Sequence, residues 1–131
     1  MLRSLFIGML ICLSLNAVKA EGEKGMKFEE NKDIAHNAEI YALSAIDFAK
    51  DHYNITLDFS DDSIKKVEEI LDHLHKSSLT EKPTDEKKWK MAKVFGSYIG
   101  EVFRRNHGAK WGLMQYGDEE FTGMEMDTSL F

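Results

Sequence analysis

The strongest constraint on the fold is a wide apolar stripe in the segment 85–106. Thr84 precedes the segment as a helix N-cap, and Gly108 follows it as a C-cap. Arg104 and Arg105 fall in its last turn, where positive charge favours the helix dipole. A helix this apolar needs cover on several sides, so we predict that it is central to the fold. Its apolar residues recur every three or four positions, the helical spacing. They are Trp89, Ala92, Val94, Phe95, Tyr98, Ile99, Val102 and Phe103.

Two further helices are predicted before the central one. Apolar residues at helical spacing indicate a helix over 31–52 and another over 61–77, the second with Ser60 as its N-cap. Residues 78–83 should form a turn, because Pro83 disfavours helical geometry in the residue before it. The three helices are therefore expected to pack together around one core.

The apolar pattern changes period after the third helix. From Lys110 side chains alternate between two faces, which indicates a strand. Gly117-Asp118 offers a turn, and residues 120–126 are the second, antiparallel strand. We therefore predict an α+β fold of three packed helices followed by a short C-terminal β-hairpin, which must lie against helix three because an isolated hairpin is marginal. One face carries Trp111, Leu113 and Gln115, and the other carries Gly112, Met114 and Tyr116.

The first twenty residues have the pattern of a cleavable secretory signal. Arg3 supplies the positive start, residues 5–15 are apolar but too short to span a membrane, and Val18-Lys19-Ala20 fits a signal peptidase site. We expect cleavage after Ala20 and a periplasmic or secreted product without a stable membrane anchor. Residues 21–29 are then expected to be a flexible leader, followed by a single domain over 30–131.

Processing changes both the chemistry and the charge of the chain. Cys12, the only cysteine, leaves with the signal, so the mature protein has no disulfide or thiol nucleophile. Arg3 and Lys19 also leave, and the formal net charge moves from −6 to −8. Such a chain repels nucleic acid and favours a protein partner with a basic surface.

Metal, cofactor and catalytic signatures are absent from the sequence. The histidines include His73 and His75, which are two apart on a predicted helix and point away from each other, and no H-E-x-x-H pair occurs. Nor is there a G-x-S-x-G elbow, and the serines cluster at caps and turns. We therefore assign no catalytic residue, no metal site and no cofactor.

Gly96 and Gly100 stand four apart on one face of the predicted third helix. Each glycine costs up to about 1 kcal/mol relative to alanine, so something should compensate. A neighbouring helix crossing at the glycines is the expected compensation, and docking of a ligand or partner there is the alternative.

The glycine pair opens the run G-x-x-x-G-E-V-x-R-R-x-x-G-x-x-W, over residues 96–111, which follows the L-D-F-S-D-D-S-I-x-x-V-E segment at 57–68. Together they resemble a group of small uncharacterised bacterial domains with a serine-capped helix, a glycine-containing helix and a tryptophan strand. The resemblance covers roughly half of the mature chain. It implies the fold and leaves the function open.

Two groups of residues are candidates for partner binding. Near the end of helix three, Glu101 either forms an intrahelical ion pair with the two arginines that follow or lies in a groove that receives a cation. In the hairpin, aromatic and acidic side chains suit a basic partner, although the hairpin could instead cover its own core. The candidates are Glu101, Arg104, Arg105, Tyr116, Asp118, Glu119, Glu120 and Phe121.

Two functional hypotheses follow. The first is an exported immunity or inhibitor protein that neutralises a toxin or enzyme by protein contact. The second is a small, hydrolase-like envelope enzyme with a polar site in which Glu101, Arg104, Arg105 and His107 converge. A homodimer through the exposed hairpin is a further expectation.

Overall fold

The computed structural model describes residues 25–126, in which three helices and three strands form an α+β fold. Three helices followed by a C-terminal antiparallel hairpin are as predicted. The signal segment 1–20 lies outside the described residues. The elements in chain order are β1 (Lys27–Glu30), α1 (Lys32–Tyr53), α2 (Ser63–Glu81), α3 (Asp85–His107), β2 (Lys110–Tyr116) and β3 (Glu119–Glu125).

Polar caps begin helices α1 and α3. The Asn31 side chain accepts hydrogen bonds from the amides of Asp33 and Ile34, each at 3.0 Å, and satisfies donors that the first turn leaves unpaired. The Thr84 hydroxyl accepts from the Lys87 amide at 3.2 Å, as expected for the N-cap of α3.

The bounds of α2 differ from the prediction at both ends. The Ser60 hydroxyl accepts from the Ser63 amide at 3.2 Å, but residues 61 and 62 form a turn and the helix begins at Ser63. The predicted turn over 78–83 is wrong for 78–81, because α2 continues to Glu81. Pro83 restricts only the residue before it, so these positions keep their helical hydrogen bonds.

The main core lies between the helices. Helix α1 contributes Ala42, Ala45 and Ala49, all fully buried, and their short side chains allow the large residues of α3 to approach closely. Phe95 and Tyr98 of α3 fill this space and are also fully buried. Helix α2 closes the core with buried residues, namely Val67, Ile70 and Leu71.

Strand β1 corrects the expectation of a flexible leader. Lys27 to Glu29 belong to the expected leader, yet they pair antiparallel with β2, with Phe28 opposite Met114. The short segment K-F-E-E has little pattern of its own, so its extended conformation depends on hydrogen bonds to a strand far later in the chain. The hairpin thereby becomes a three-stranded sheet in the order β1-β2-β3.

The sheet packs on the helices through Trp111 and Met124, which lie opposite each other on β2 and β3. At Gly100 of α3 an added Cβ would overlap the indole of Trp111 and lie 3.1 Å from the sulfur of Met124. The predicted close approach therefore occurs at Gly100, but the neighbour is a strand tryptophan and not a crossing helix. Only glycine leaves room for the indole.

Candidate functional site

Among residues 25–126, Glu101 stands out because its charged side chain has no exposed surface. Arg104 binds it in a bidentate manner, with Nε 2.6 Å from Oε2 and one terminal nitrogen 3.0 Å from Oε1. The Trp111 indole nitrogen donates to Oε2 at 3.1 Å, and Arg105 Nε lies 3.6 Å from Oε1. Oε2 therefore accepts two hydrogen bonds, and Oε1 accepts one and lies near a second guanidinium.

The protonation state of Glu101 follows from these contacts. Burial raises the pKa of Glu101, but hydrogen bonds from Arg104 and Trp111 and the charges of Arg104 and Arg105 together outweigh burial. The result is a pKa below the ordinary value of 4.5. Hydrogen bonding to Glu101 in turn raises the pKa of Arg104. The pair is ionised at neutral pH, and the predicted intrahelical ion pair is present.

A cleft of about 510 Å³ lies beside this ion pair, between the start of α1, the end of α3 and the start of β2. Arg104 and Trp111 form part of its wall, whereas Glu101 does not line it. The cleft carries both signs of charge, and its polar and apolar surfaces are similar in extent. Its lining residues are Glu30, Lys32, Ala35, His36, Glu39, Arg104, Ala109, Lys110 and Trp111.

Arg105 and His107 do not join Arg104 in the cleft. The guanidinium carbon of Arg105 lies 3.7 Å from the centroid of the Phe59 ring, and His107 Nε2 lies 2.9 Å from a carboxylate oxygen of Asp61. Both contacts are directed towards the loop before α2, and a terminal nitrogen of Arg105 also lies 3.8 Å from a carboxylate oxygen of Glu39. Glu101, Arg104 and Arg105 thus lie together, but of the four groups of the enzyme hypothesis only Arg104 lines the cleft, and His107 is directed elsewhere.

The loop over 58–62 is held by contacts that the sequence did not reveal. The Phe59 amide donates to the hydroxyl of Tyr98 at 2.8 Å, and this hydroxyl lies 2.7 Å from Ser63 Oγ. Since Ser63 donates its proton to the carbonyl of Ser60 at 2.6 Å, Tyr98 is the donor to Ser63. Asn106 adds a bond of 2.8 Å to the Phe59 carbonyl.

Phe59 adopts a left-handed backbone conformation, with φ of 61°. This region is costly for a bulky residue, so the surrounding contacts must hold it in place. The ring stacks on Tyr98, with centroids 5.1 Å apart. The serine-rich segment indicated a capped helix, but no pattern in it indicated a strained phenylalanine.

The tip of the hairpin contains the other predicted partner-binding residues. The Tyr116 side chain is 55% exposed, and the carboxylates of Asp118, Glu119 and Glu120 next to it are also exposed. Phe121 is partly buried. Tyr116 lies five residues beyond Trp111 on β2, which corresponds to roughly 17 Å. The eight predicted residues therefore divide into two separate groups, one at each end of the hairpin.

Within residues 25–126, no group of three or more histidine, cysteine, aspartate or glutamate side chains lies close enough to hold a metal ion. No helix in the same range is long and apolar enough to cross a membrane.

No protein-family model matches the sequence, and comparisons with curated proteins and with solved structures give no significant match. The resemblance of residues 57–111 to small bacterial domains stays a prediction. The fold and the site thus define a small α+β domain. It has a buried glutamate beside a cleft of mixed polar and apolar lining, and a hairpin tip with acidic and aromatic side chains.

Proposed function

We propose that this chain is an exported, non-enzymatic binding protein of the immunity or inhibitor type, which neutralises a toxin or enzyme by protein contact. The observation that carries the proposal is the hairpin tip, where the exposed Tyr116 ring lies beside the exposed carboxylates of Asp118, Glu119 and Glu120. An aromatic residue surrounded by polar groups is typical of residues that dominate binding energy.

The backbone of the tip supports this role. Strands β2 and β3 stay paired to the turn, where Tyr116 is opposite Glu119, and Gln115 donates to a carboxylate oxygen of Glu120 at 3.2 Å. A tip that is already ordered loses little conformational entropy on binding. Its negative charge would accelerate association with a basic surface.

The alternative, a small envelope enzyme that uses Glu101, has less support. The carboxylate is buried and bound by Arg104 and Trp111, so a substrate has no direct access to it, and both oxygens already accept hydrogen bonds. The same burial leaves Glu101 no surface with which to contact a partner directly. Its effect on binding would be indirect, through Arg104.

A pull-down with the tagged mature chain, residues 21–131, tests the proposal. The source is an extract of its own cells and secreted material, washed at low and then moderate salt. We expect one stoichiometric partner whose activity falls on binding. The variants Tyr116→Ala and Glu119→Gln/Glu120→Gln should lose that partner.

The matched control is Glu68→Gln/Glu69→Gln, which makes the same charge change at two exposed residues of α2. This control should bind the partner as the unmodified chain does. A partner that the tip variants retain, or the absence of any partner, would contradict the proposal.

A further inference from the structure

Arg104 has hydrogen-bonding capacity that the described residues do not use. A guanidinium has five N–H donors, and Glu101 accepts one from Nε and one from a terminal nitrogen. Within residues 25–126 no other hydrogen-bond acceptor contacts Arg104, whose side chain is 39% exposed and lines the cleft. Three donors therefore remain for a ligand.

Glu101 fixes the position of this guanidinium. The carboxylate is itself held by the Trp111 indole, so neither end of the bidentate pair can rotate freely. Burial of an ion pair adds little net stability, since apolar residues of similar volume often serve as well. Its clear structural consequence here is a preorganised arginine in the wall of a cleft, which is how a binding group is best supported.

The charge of the cleft is opposite to that of the protein. Lys32, Arg104 and Lys110 face Glu30 and Glu39, so the lining has a formal charge of +1, whereas the whole chain has −6. Two charges just outside the lining leave this sum unchanged, because Glu101 binds Arg104 and Arg105 lies 3.8 Å from Glu39. A local excess of one positive charge favours a ligand with one negative charge. The two acids disfavour a dianion such as phosphate.

The remaining lining is apolar, with Ala35 partly exposed and Ala109 and Trp111 reaching the cleft only by the edges of largely buried side chains. The volume of about 510 Å³ is within the range of small-molecule sites. We propose that this cleft binds a small monocarboxylate, with the carboxylate on Arg104 and the hydrocarbon part against the apolar wall. A planar carboxylate matches the fork geometry of arginine. The site is separate from the hairpin tip and goes beyond the proposed function.

Nuclear magnetic resonance of the ¹⁵N-labelled protein tests the proposal. The full chain is expressed, and the product that the cells make from it is purified. The probe is butyrate, compared with its neutral isostere butyramide and with inorganic phosphate at constant ionic strength. Of the two tryptophans, Trp111 lines the cleft. Trp89 is 61% exposed and lies about 22 Å from Arg104 along α3, so its indole is an internal reference.

We expect butyrate to shift the Trp111 indole N–H resonance saturably while the Trp89 resonance stays in place. Butyramide and phosphate should bind at least about tenfold more weakly, since butyramide has no charge and phosphate is not planar. The proposal is overturned if the Trp111 resonance does not move, if both indoles shift in parallel, or if phosphate or butyramide binds as well as butyrate.

Two variants localise the site. Arg104→Gln should weaken butyrate binding about tenfold or more, and Lys110→Gln, which leaves the Glu101 contacts intact, should weaken it severalfold. Lys90→Gln removes one exposed charge elsewhere on α3 and should change nothing. If Arg104→Gln does not fold, the butyrate affinities of Lys110→Gln and Lys90→Gln are compared instead. Equal affinity in those two variants would overturn the proposal.

Discussion

Gly100 of α3 and Trp111 of β2 pack so closely that a Cβ on the glycine would overlap the indole ring. The next residue, Glu101, accepts a hydrogen bond from the same indole at 3.1 Å. Two consecutive residues of α3 thus fix one tryptophan, one through the absence of a side chain and the other through a buried charge. This contact joins the sheet to the helices.

Replacing Gly100 by alanine should destabilise the domain. Alanine gains up to about 1 kcal/mol in helix propensity, but the overlap with a buried indole costs about 1–3 kcal/mol or more, so the net change should be a loss. Denaturant unfolding of Gly100→Ala and the unmodified protein measures it. An unchanged or increased free energy of unfolding would show that the sheet shifts freely away from α3.

Trp111→Phe should partly rescue Gly100→Ala. The overlap involves Cζ2 and Cη2 of the indole, and phenylalanine lacks this second ring. We expect the double variant to be more stable than the sum of the two single changes predicts, by about 1 kcal/mol, in a double-mutant cycle. Additive effects would mean that Gly100 and Trp111 are not coupled.

Glu101→Gln should reduce the free energy of unfolding by about 2–3 kcal/mol, because it removes the charge that binds Arg104 and puts an NH2 donor where one carboxylate oxygen accepted a hydrogen bond. Urea unfolding gives the value. Arg105→Gln is the comparison, since Arg105 lies 3.6 Å from Glu101 with its side chain 33% exposed, and should cost less than about 1 kcal/mol. Equal losses in the two variants would contradict the assigned importance of Glu101.

Stability should fall in acid, in part through Glu101. Its pKa in the folded protein is below the ordinary value of 4.5, so its stabilising effect is present above the unfolded pKa and is lost as pH falls through the folded pKa. Asp61, whose pKa is lowered first by its hydrogen bond with Asn106, acts with the same sign. Unfolding of the protein and of Glu101→Gln between about pH 7 and about pH 3 measures the effect. The variant should lose less stability; parallel curves would exclude Glu101 as a contributor.

Tyr98→Phe should loosen the loop before α2. The hydroxyl accepts from the Phe59 amide and donates to Ser63, and its loss leaves buried groups unpaired at a cost of about 1–3 kcal/mol. Hydrogen exchange at the Phe59 amide should accelerate more than the global change explains. Ser63→Ala keeps the hydrogen bond from the Phe59 amide to Tyr98, so this amide should exchange more slowly in Ser63→Ala than in Tyr98→Phe. Equal exchange rates in the two variants would contradict the prediction.

Local patterns were sufficient for most of the fold. The apolar stripe and caps of α3 place its ends within a residue of the predicted 85–106, because Thr84 and Gly108 act on their immediate neighbours. The change to alternation after Lys110 identified the hairpin for the same reason. Strand β1 escaped prediction since its four residues are ordered only by pairing with β2.

The candidate site was predictable only in part. The spacing of Glu101 and Arg104 is a helical property and indicated their ion pair. Other contacts depend on how distant segments pack. Trp111 donates a hydrogen bond to the buried carboxylate, and Arg105 and His107 are directed towards Phe59 and Asp61. No spacing rule encodes those contacts.

The sequence by itself therefore determined the helices, the hairpin and the acidic, aromatic character of its tip, because periodicity, capping and charge are properties of neighbouring residues. Only the tertiary structure decided that Glu101 is buried, that Gly100 receives a tryptophan and that Arg104 stands in the wall of a positively charged cleft. These features depend on where the sheet lies against α3, and residues far apart in the chain fix that position together.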